Sequence, residues 1–135
     1  SVTKSAPPNP RFREGDAEEA LRAFATGAKS ERPDMILLDP PSLAPSKKAL
    51  PRALLAYLRM NGLALKVLSR GGLLATSSCS HHVSREDFMG VLRAAQAKTG
   101  RSTRLLALRG QAVDHPILLS MPETEYLHFA LIEVL

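Results

Sequence analysis

The 135-residue sequence has little of what stabilises small secreted domains or anchors proteins in membranes: it contains one cysteine, no tryptophan and no long apolar run. A single cysteine cannot form an intramolecular disulfide, and neither a transmembrane pattern nor the basic start and apolar stretch of a signal peptide is present. Because only 4% of the residues are aromatic, no obvious platform for stacking single-stranded bases is visible either. We therefore expect a cytoplasmic protein, in a reducing compartment, that has no contact with a membrane.

The composition suits one folded domain, but the charge is unevenly distributed. The formal net charge is +5, and residues 47–109 contain 12 Lys and Arg against two acidic residues. Residues 110–135, by contrast, contain four acidic residues and no Lys or Arg. A basic region of this kind suggests a polyanionic partner. It is equally typical of the solvated faces of ordinary helices, so the charge alone leaves both interpretations open.

Hydrophobic patterning predicts a folded region over residues 11–135, after a tail at residues 1–10 that is rich in Pro and Ser. Apolar residues at helical spacing follow Asp16, which suits an N-cap, and Gly27 can end that helix. The compact run "DMILLD" is typical of a strand that is covered on both faces. Leucines then recur at three- and four-residue steps over residues 48–69, and a second apolar strand, "LLATSSC", follows.

The second half of the chain continues this alternation of helices and strands. Ser84 and Asp87 have the spacing of a capping box, and the helix that they introduce ends at Gly100. "TRLLALR" and "YLHFALIEVL" are predicted strands, the latter with apolar alternation over residues 127–131, and the long loop between them has room for a function. This order predicts an α/β fold with a mainly parallel sheet. "DMILLD" and "LLATSSC" should be parallel neighbours, and the last strand should be antiparallel to its partner.

Polar stretches follow both predicted parallel strands, at the edge where α/β proteins bind ligands. In the first stretch, "DPPS", Asp39 could simply cap a turn that Pro40 and Pro41 rigidify. Alternatively, the two prolines fix the backbone and remove two N–H donors, so that a planar base could lie against the loop. The Asp39 carboxylate would then meet a ring nitrogen or an exocyclic amine. The residues by themselves leave both interpretations open.

The second stretch, "SSCSHH", contains the single cysteine, Cys79. A lone cysteine is often a small core residue. Here, however, the flanking serines give no apolar packing, and Cys79 lies at a strand end opposite another polar strand end. A substrate can reach a thiol in that position. Either His81 or His82 could stabilise a thiolate or move a proton. A metal site is not expected, because these histidines are adjacent and no second cysteine exists. A Cys–His–Asp hydrolase that uses His115 and Asp114 is also conceivable, although no hydrolase motif surrounds the cysteine.

Four blocks of sequence together resemble a known family: "GDAEEALR", "DMILLDPPSLAPSK", "GGLLATSSCSHHVSREDF" and "GQAVDHPILLSMPETEYLHFALIEVL". In this order and spacing they are similar to the carboxyl-terminal half of the bacterial 23S ribosomal RNA large-subunit 5-methylcytosine methyltransferases. Those proteins are class I S-adenosylmethionine (SAM) enzymes with a PUA domain ahead of a Rossmann-like catalytic domain. The resemblance covers nearly everything after about Arg11. It implies a partial Rossmann-like methyltransferase domain whose partner is ribosomal RNA.

The resemblance also implies roles for individual residues. Asp16 matches the acid that contacts the adenine of SAM, and Asp39, with Pro40 and Pro41, matches the motif that holds the target base. Asp39 is expected to be catalytic, by stabilising the adduct, and to bind the cofactor as well. The resemblance implies Pro40, Pro41 and Ser42 as the other base-binding residues. Cys79 matches the thiol that attacks the pyrimidine, which the chemistry requires because cytosine C5 is a poor nucleophile until a thiolate adds at C6.

The sequence also departs from the family pattern. Class I enzymes hold the cofactor with a Gly-rich turn after their first strand and an acid after their second, and neither precedes Arg11 here; the PUA domain is missing too. We therefore expect a piece of such an enzyme that binds SAM weakly or not at all, and whose uncovered sheet could pair two copies into a homodimer. Two alternatives remain: transfer to another RNA position or an exocyclic amine, with Cys79 structural, and a non-catalytic RNA-binding module that uses residues 47–109.

Overall fold

A computed structural model describes residues 10–135, so most of the predicted tail lies outside the described part of the chain. Helices and strands follow one another as α1 (Ala17–Thr26), β1 (Met35–Leu38), α2 (Leu50–Val67), β2 (Leu73–Ser78), α3 (Arg85–Thr99), β3 (Thr103–Arg109) and β4 (His128–Val134). Short 3-10 turns occupy residues 29–31, 47–49 and 122–124. No helix in this part of the chain is both long enough and apolar enough to cross a membrane.

The four strands form one sheet in the order β1-β2-β4-β3. β1 and β2 are parallel neighbours, and helix α2 supplies the long crossover that parallel strands need. β4 lies between β2 and β3 and is antiparallel to both. Three strands therefore point one way and the last one points the other way, which confirms the predicted α/β fold and the reversal of the last strand.

Local sequence determines where the helices begin and end. The Asp16 carboxylate accepts hydrogen bonds from two backbone N–H groups of the first turn of α1, at 2.7 and 3.4 Å, and Gly27 follows the last residue of that helix. Ser84 and Asp87 form the predicted capping box of α3. Gly100 ends α3 with a φ of 67°, a left-handed conformation that favours glycine. The predicted caps are confirmed.

The helices pack together on one face of the sheet. Helix α2 lies between α1 and α3, and the three helices share a single hydrophobic core with alternate residues of β2 and β4. The most deeply buried large side chains of this core include Tyr57, Leu65, Leu68, Leu74 and Val134. The core therefore fixes α2 against the sheet, on the face that the helices cover.

The opposite face of the sheet carries no helix within residues 10–135. Met35 and Leu37 are 51% and 75% exposed there, so the expectation that this strand is covered on both faces is wrong for the described residues. The apolar alternation of Leu127, Phe129 and Leu131 lies on the half-buried face, because the buried side chains of β4 are those of residues 128, 130, 132 and 134. Both strands have apolar residues on both faces, so hydrophobicity alone does not show which face the helices cover.

Candidate active site at the ends of β1 and β2

The loops that follow the two parallel strands meet at one edge of the sheet. β1 ends at Leu38 and β2 at Ser78, and the register of the pair places Leu38 opposite Thr76. Asp39 follows the last residue of β1 and Ser77 follows Thr76 in β2, and the Ser77 hydroxyl donates a 2.8 Å hydrogen bond to Asp39 Oδ1. The two polar stretches that the sequence placed at a common edge are thus in direct contact.

Two further contacts join the same loops. Cys79 Sγ lies 4.0 Å from the carbonyl oxygen of Pro40, which is a weak S–H···O contact. The buried Ser80 hydroxyl donates to the carbonyl oxygen of Ala44 at 3.0 Å. These contacts hold the thiol against the "DPPS" loop, and Asp39 and Cys79 lie at the same end of the sheet, as the site hypothesis requires.

Side-chain exposure decides which of the predicted residues a substrate can reach. Asp39, Pro41 and Ser42 are exposed, and Cys79 is half-buried. Pro40 is buried, so it contributes its carbonyl oxygen to the site and supports the loop with its ring. The edge therefore offers one carboxylate, one thiol and one exposed proline ring, which is an arrangement that a planar ring could lie against.

A buried polar contact fixes β2 against α2 beneath this edge. The Thr76 hydroxyl donates to Asn61 Oδ1 at 2.7 Å, and Asn61 Nδ2 donates to the carbonyl oxygen of Tyr57 at 2.8 Å. Asn61 and Thr76 are each 1% exposed. Because a buried amide that loses a partner is costly, this pair constrains the position of the helix relative to the strand. Sequence reasoning missed Asn61, although a polar residue among the leucines of α2 was a usable signal.

The two adjacent histidines have different surroundings. His81 Nδ1 lies 2.9 Å from the carbonyl oxygen of Glu123 and must donate to it, since a carbonyl only accepts. The ring of His81 lies 5.2 Å from that of Tyr126. His82 is half-buried and lines a separate cavity of about 440 Å³. Neither histidine forms a hydrogen bond with Cys79 in the described part of the chain.

The hydrolase alternative gains no support from this geometry. His115 Nε2 lies 3.8 Å from Asp114 Oδ2, and the side chains of Asp114 and His115 are 79% and 59% exposed. Within residues 10–135 neither side chain forms a hydrogen bond with Cys79. Nor does that part of the chain contain a group of three His, Cys, Asp or Glu side chains that could hold a metal ion. Among the described residues, the thiol has no hydrogen-bonded histidine of the kind that a Cys–His–Asp hydrolase needs.

His128 is a buried polar residue that sequence reasoning also missed. Its Nε2 donates to the carbonyl oxygen of Val83 at 3.0 Å, and its ring stacks on that of Phe88 at 5.9 Å. The side chain is 2% exposed. It therefore ties β4 to the turn that connects Cys79 with α3. No signal in the sequence identifies it, because β4 has apolar residues on both faces.

Curated relatives of this chain are named as ribosomal RNA methyltransferases. The chain is 37% identical over 120 residues to ribosomal RNA large subunit methyltransferase I of Pseudoalteromonas atlantica, covering 89% of the chain. It is 39% identical over 119 residues to the protein of the same name from Aeromonas salmonicida, covering 88% of the chain. The chain spans about 30% of the length of each relative. No family model matches it.

Solved structures share the arrangement of helices and strands. SMU.776, a protein assigned as a methyltransferase and solved with bound SAH (S-adenosylhomocysteine), superposes with a TM-score of 0.73 at 20% identity, covering 89% of this chain and 30% of that one. The chain has a methyltransferase fold. A methyltransferase homologue from Pyrococcus horikoshii superposes with a TM-score of 0.57 at 22% identity, over 84% of this chain and 43% of the other. This methyltransferase fold thus matches a part of each of those proteins.

Asp16 is the second predicted cofactor residue of this methyltransferase fold. Its exposed carboxylate uses Oδ1 for both capping bonds of α1. Asp39 likewise uses Oδ1 for the bond from Ser77. Each carboxylate has a second oxygen, and carboxylate oxygens are the acceptors that suit the amine and hydroxyl donors of SAM. Both carboxylates thus keep an acceptor of the kind that SAM needs, and their role in binding the cofactor stays a prediction.

Proposed function

We propose that this chain supplies the base-binding and thiol part of the active site of a SAM-dependent methyltransferase that modifies C5 of a cytosine in ribosomal RNA. The observation that carries the proposal is the 2.8 Å hydrogen bond from Ser77 to Asp39, because it brings the "DPPS" and "SSCSHH" loops together. The names of the curated relatives support ribosomal RNA as the substrate. Cys79 supports carbon methylation, because an amine acceptor needs no thiol.

Cys79 acts as the nucleophile in this proposal. After losing its proton, the thiolate adds to C6 of the cytosine, and a bond forms between Sγ and C6 while the π electrons of the C5–C6 bond move toward C4 and N3. The resting contact to Pro40 is weak, so little is lost when the thiol turns toward the base. Half-burial places the sulfur beside the exposed loop and not inside the core.

Asp39 acts on the opposite side of the base. Protonated Asp39 would give its proton to N3 as the thiolate adds, which makes C5 an enamine carbon, and would take that proton back when the thiolate leaves. Ser77 bonds Oδ1, so Oδ2 is the oxygen that this proposal assigns to the ring. Once C5 carries the methyl group, solvent takes the C5 hydrogen as a proton, the electrons of that C–H bond form the C5–C6 double bond again, and the Sγ–C6 bond breaks to release the thiolate.

The cofactor supplies an electrophilic methyl group on a sulfonium. Asp16 and Asp39 are the residues of this chain that would hold it, through carboxylate oxygens that accept from its amine and hydroxyl groups. Asp39 would then border both the cofactor and the target base, which places the acceptor carbon next to the methyl donor. Orientation of this kind can supply a large part of the acceleration of a two-substrate reaction.

A chimera tests the proposal. This chain would replace the matching 120 residues of the Pseudoalteromonas atlantica relative, and 5-methylcytidine in 23S ribosomal RNA would be measured by nucleoside mass spectrometry. We expect Cys79→Ala to lower methylation more than about a thousandfold, as removal of a catalytic nucleophile does. Asp39→Asn should lower it by about 10²–10⁴-fold, the usual contribution of a general acid. Ser102→Ala, at the other end of the sheet, is the control and should change little.

Covalent trapping separates the proposal from its rivals. RNA that contains 5-fluorocytosine cannot lose a proton from C5, so the thiol adduct should accumulate with unaltered Cys79 and be absent from Cys79→Ala. A Cys79→Ala chimera that methylates normally would instead favour transfer to an exocyclic amine. Salt-dependent RNA binding without any methylation would favour the non-catalytic module.

A further inference from the structure

The long loop between β3 and β4 forms a second cavity next to the candidate thiol. This cavity has a volume of about 360 Å³ and is lined by His81, Asp114, His115, Glu123 and Tyr126, among others. Its wall begins at His81, two residues after Cys79, so it borders the proposed active site without being part of it. The volume lies near the lower end of the range of about 300–1,000 Å³ that is typical of ligand pockets, which suits one planar ring system.

Aromatic rings make up one wall of this cavity. The rings of His81 and Tyr126 have centroids 5.2 Å apart, and those of His115 and Tyr126 are 6.4 Å apart at an angle of 87°. Both distances are within the range in which aromatic groups pack against one another. Tyr126 is half-buried, and His81 and His115 are exposed, so their ring surfaces are accessible. Unpaired RNA bases bind to proteins by stacking on surfaces of this kind.

The loop that carries these groups is held in place by its own hydrogen bonds. Gln111 Oε1 accepts from the backbone N–H groups of Tyr126 and Leu127 at 3.4 and 3.5 Å, and Gln111 Nε2 donates to the carbonyl oxygen of Thr124. The Thr124 hydroxyl accepts from the N–H of Leu118 at 2.8 Å. The His81 bond to Glu123 joins this loop to the end of β2. The cavity is therefore built before a ligand arrives.

The charge of the cavity distinguishes a base from a phosphate. Asp114 and Glu123 line it and, among the described residues, no Lys or Arg does, so it repels phosphate and favours ligands with hydrogen-bond donors. The cavity on the other side of His81 has a mixed character, since Lys47 and Arg85 line it together with Glu123 and Glu125, and Arg85 is paired with Glu125 at 3.2 Å. A nucleotide could thus place its base among the rings while its phosphate stays outside the cavity. Carboxylates accept from the exocyclic amine of cytosine, and uracil has no such amine.

We propose that the cavity formed by the loop between β3 and β4 binds the unpaired base of a nucleotide that flanks the methylation target, with a preference for bases that carry an exocyclic amine. The inference rests on the proposed function for the choice of RNA as ligand. Its test does not rest on catalysis, because the readout is the ring of Tyr126 and not methyl transfer.

Tyrosine NMR provides that readout, because the chain contains only two tyrosines. Tyr57 is 2% exposed and serves as the internal reference, whereas Tyr126 lines the cavity. The 135-residue chain with ¹³C-labelled tyrosine would be titrated with hexacytidylate and with hexauridylate. We expect saturable shifts of the Tyr126 ring with an affinity at least about fivefold higher for hexacytidylate, and no shift of Tyr57.

Variants make the assignment specific. Tyr126→Leu should weaken hexacytidylate binding at least about fivefold, since one stacked base is lost, whereas Tyr126→Phe keeps the ring and should bind normally. The double variant Asp114→Ala/Glu123→Ala alters only exposed side chains and should abolish the preference for cytidine over uridine. An unshifted Tyr126 at RNA concentrations that shift other resonances would overturn the proposal. So would equal affinities for the two oligonucleotides in the unaltered chain.

Discussion

Arg101 offers the sharpest test of how the layer beneath the site is held together. Its Nη1 donates to the carbonyl oxygens of Leu65 and Lys66 at 2.8 and 3.3 Å and also to that of Leu68. These carbonyls belong to the last turn and the cap of α2, where no further helical N–H group is available to bond them. One side chain thus satisfies three helix-terminal acceptors, and its cation faces the negative end of the helix dipole.

The expected loss of stability on Arg101→Met follows from these contacts. A hydrogen bond to a charged group contributes about 1.5–3 kcal/mol, but a single nitrogen shares three acceptors here, so the contributions do not add. Arg101 is half-buried, and its burial, followed by the neighbouring Arg32, lowers the pKa of its guanidinium. We therefore expect a loss of roughly 2 kcal/mol in the free energy of unfolding. For a chain of this size that corresponds to a fall in Tm of about 6–10 °C.

Urea unfolding followed by circular dichroism measures this loss directly. Methionine keeps most of the length of the aliphatic stem, so the variant removes mainly the donors and the charge. Arg104→Met is the matched control. Arg104 forms a 2.9 Å ion pair with Glu133 at the surface, and the arginine side chain is 62% exposed. Loss of this ion pair should lower the free energy of unfolding by less than about 1 kcal/mol. Equal stability changes in the two variants would refute the capping role of Arg101.

Three further predictions concern the site and the sheet. Asn61→Leu should lower the free energy of unfolding in urea by about 1–3 kcal/mol, because the Thr76 hydroxyl loses its acceptor. Adding Thr76→Val should restore part of that loss. A double variant that is no more stable than Asn61→Leu would contradict this. Isothermal titration of this chain with SAM should show no saturable binding, and a micromolar Kd would show that binding does not need a Gly-rich turn of the class I kind. Light scattering should detect a dimer that Leu37→Glu dissociates, since Leu37 is 75% exposed; a monomeric unaltered chain would argue against self-pairing.

Local signals account for the part of the fold that the sequence predicted well. Asp16, Ser84 and Gly100 act through their own backbone or the next turn, so their capping roles depend only on neighbouring residues. The contact between Asp39 and Ser77 was predictable for a different reason: the carboxyl ends of parallel strands joined by one crossover share an edge. Both kinds of inference need a strand or helix assignment and little else.

Features that depend on long-range packing were not predictable in this way. The position of β4 between β2 and β3 is decided by which strands pair, and the apolar residues on both faces of β4 do not encode that choice. The bond from His81 to Glu123 and the bond from His128 to Val83 join residues 42 and 45 positions apart. No spacing rule connects such residues, because the contact exists only after the sheet has formed.

The position of the cysteine within "SSCS" follows from the alternation of side chains along β2. Ser77 donates to Asp39, so a thiol in its place would remove the hydrogen bond that joins the two loops. Ser78 points into the helical layer and is 0% exposed, with no hydrogen-bond partner for its hydroxyl within residues 10–135, so a thiol there could not reach a substrate. Ser80 is equally buried and is bonded to Ala44. Of the four positions in the run, Cys79 alone combines partial exposure with a neutral neighbour, the carbonyl oxygen of Pro40 in the "DPPS" loop. A nucleophile has to leave its resting contact and turn toward a base that is bound on that loop. Position 79 is therefore the best position in the run for a nucleophilic thiol.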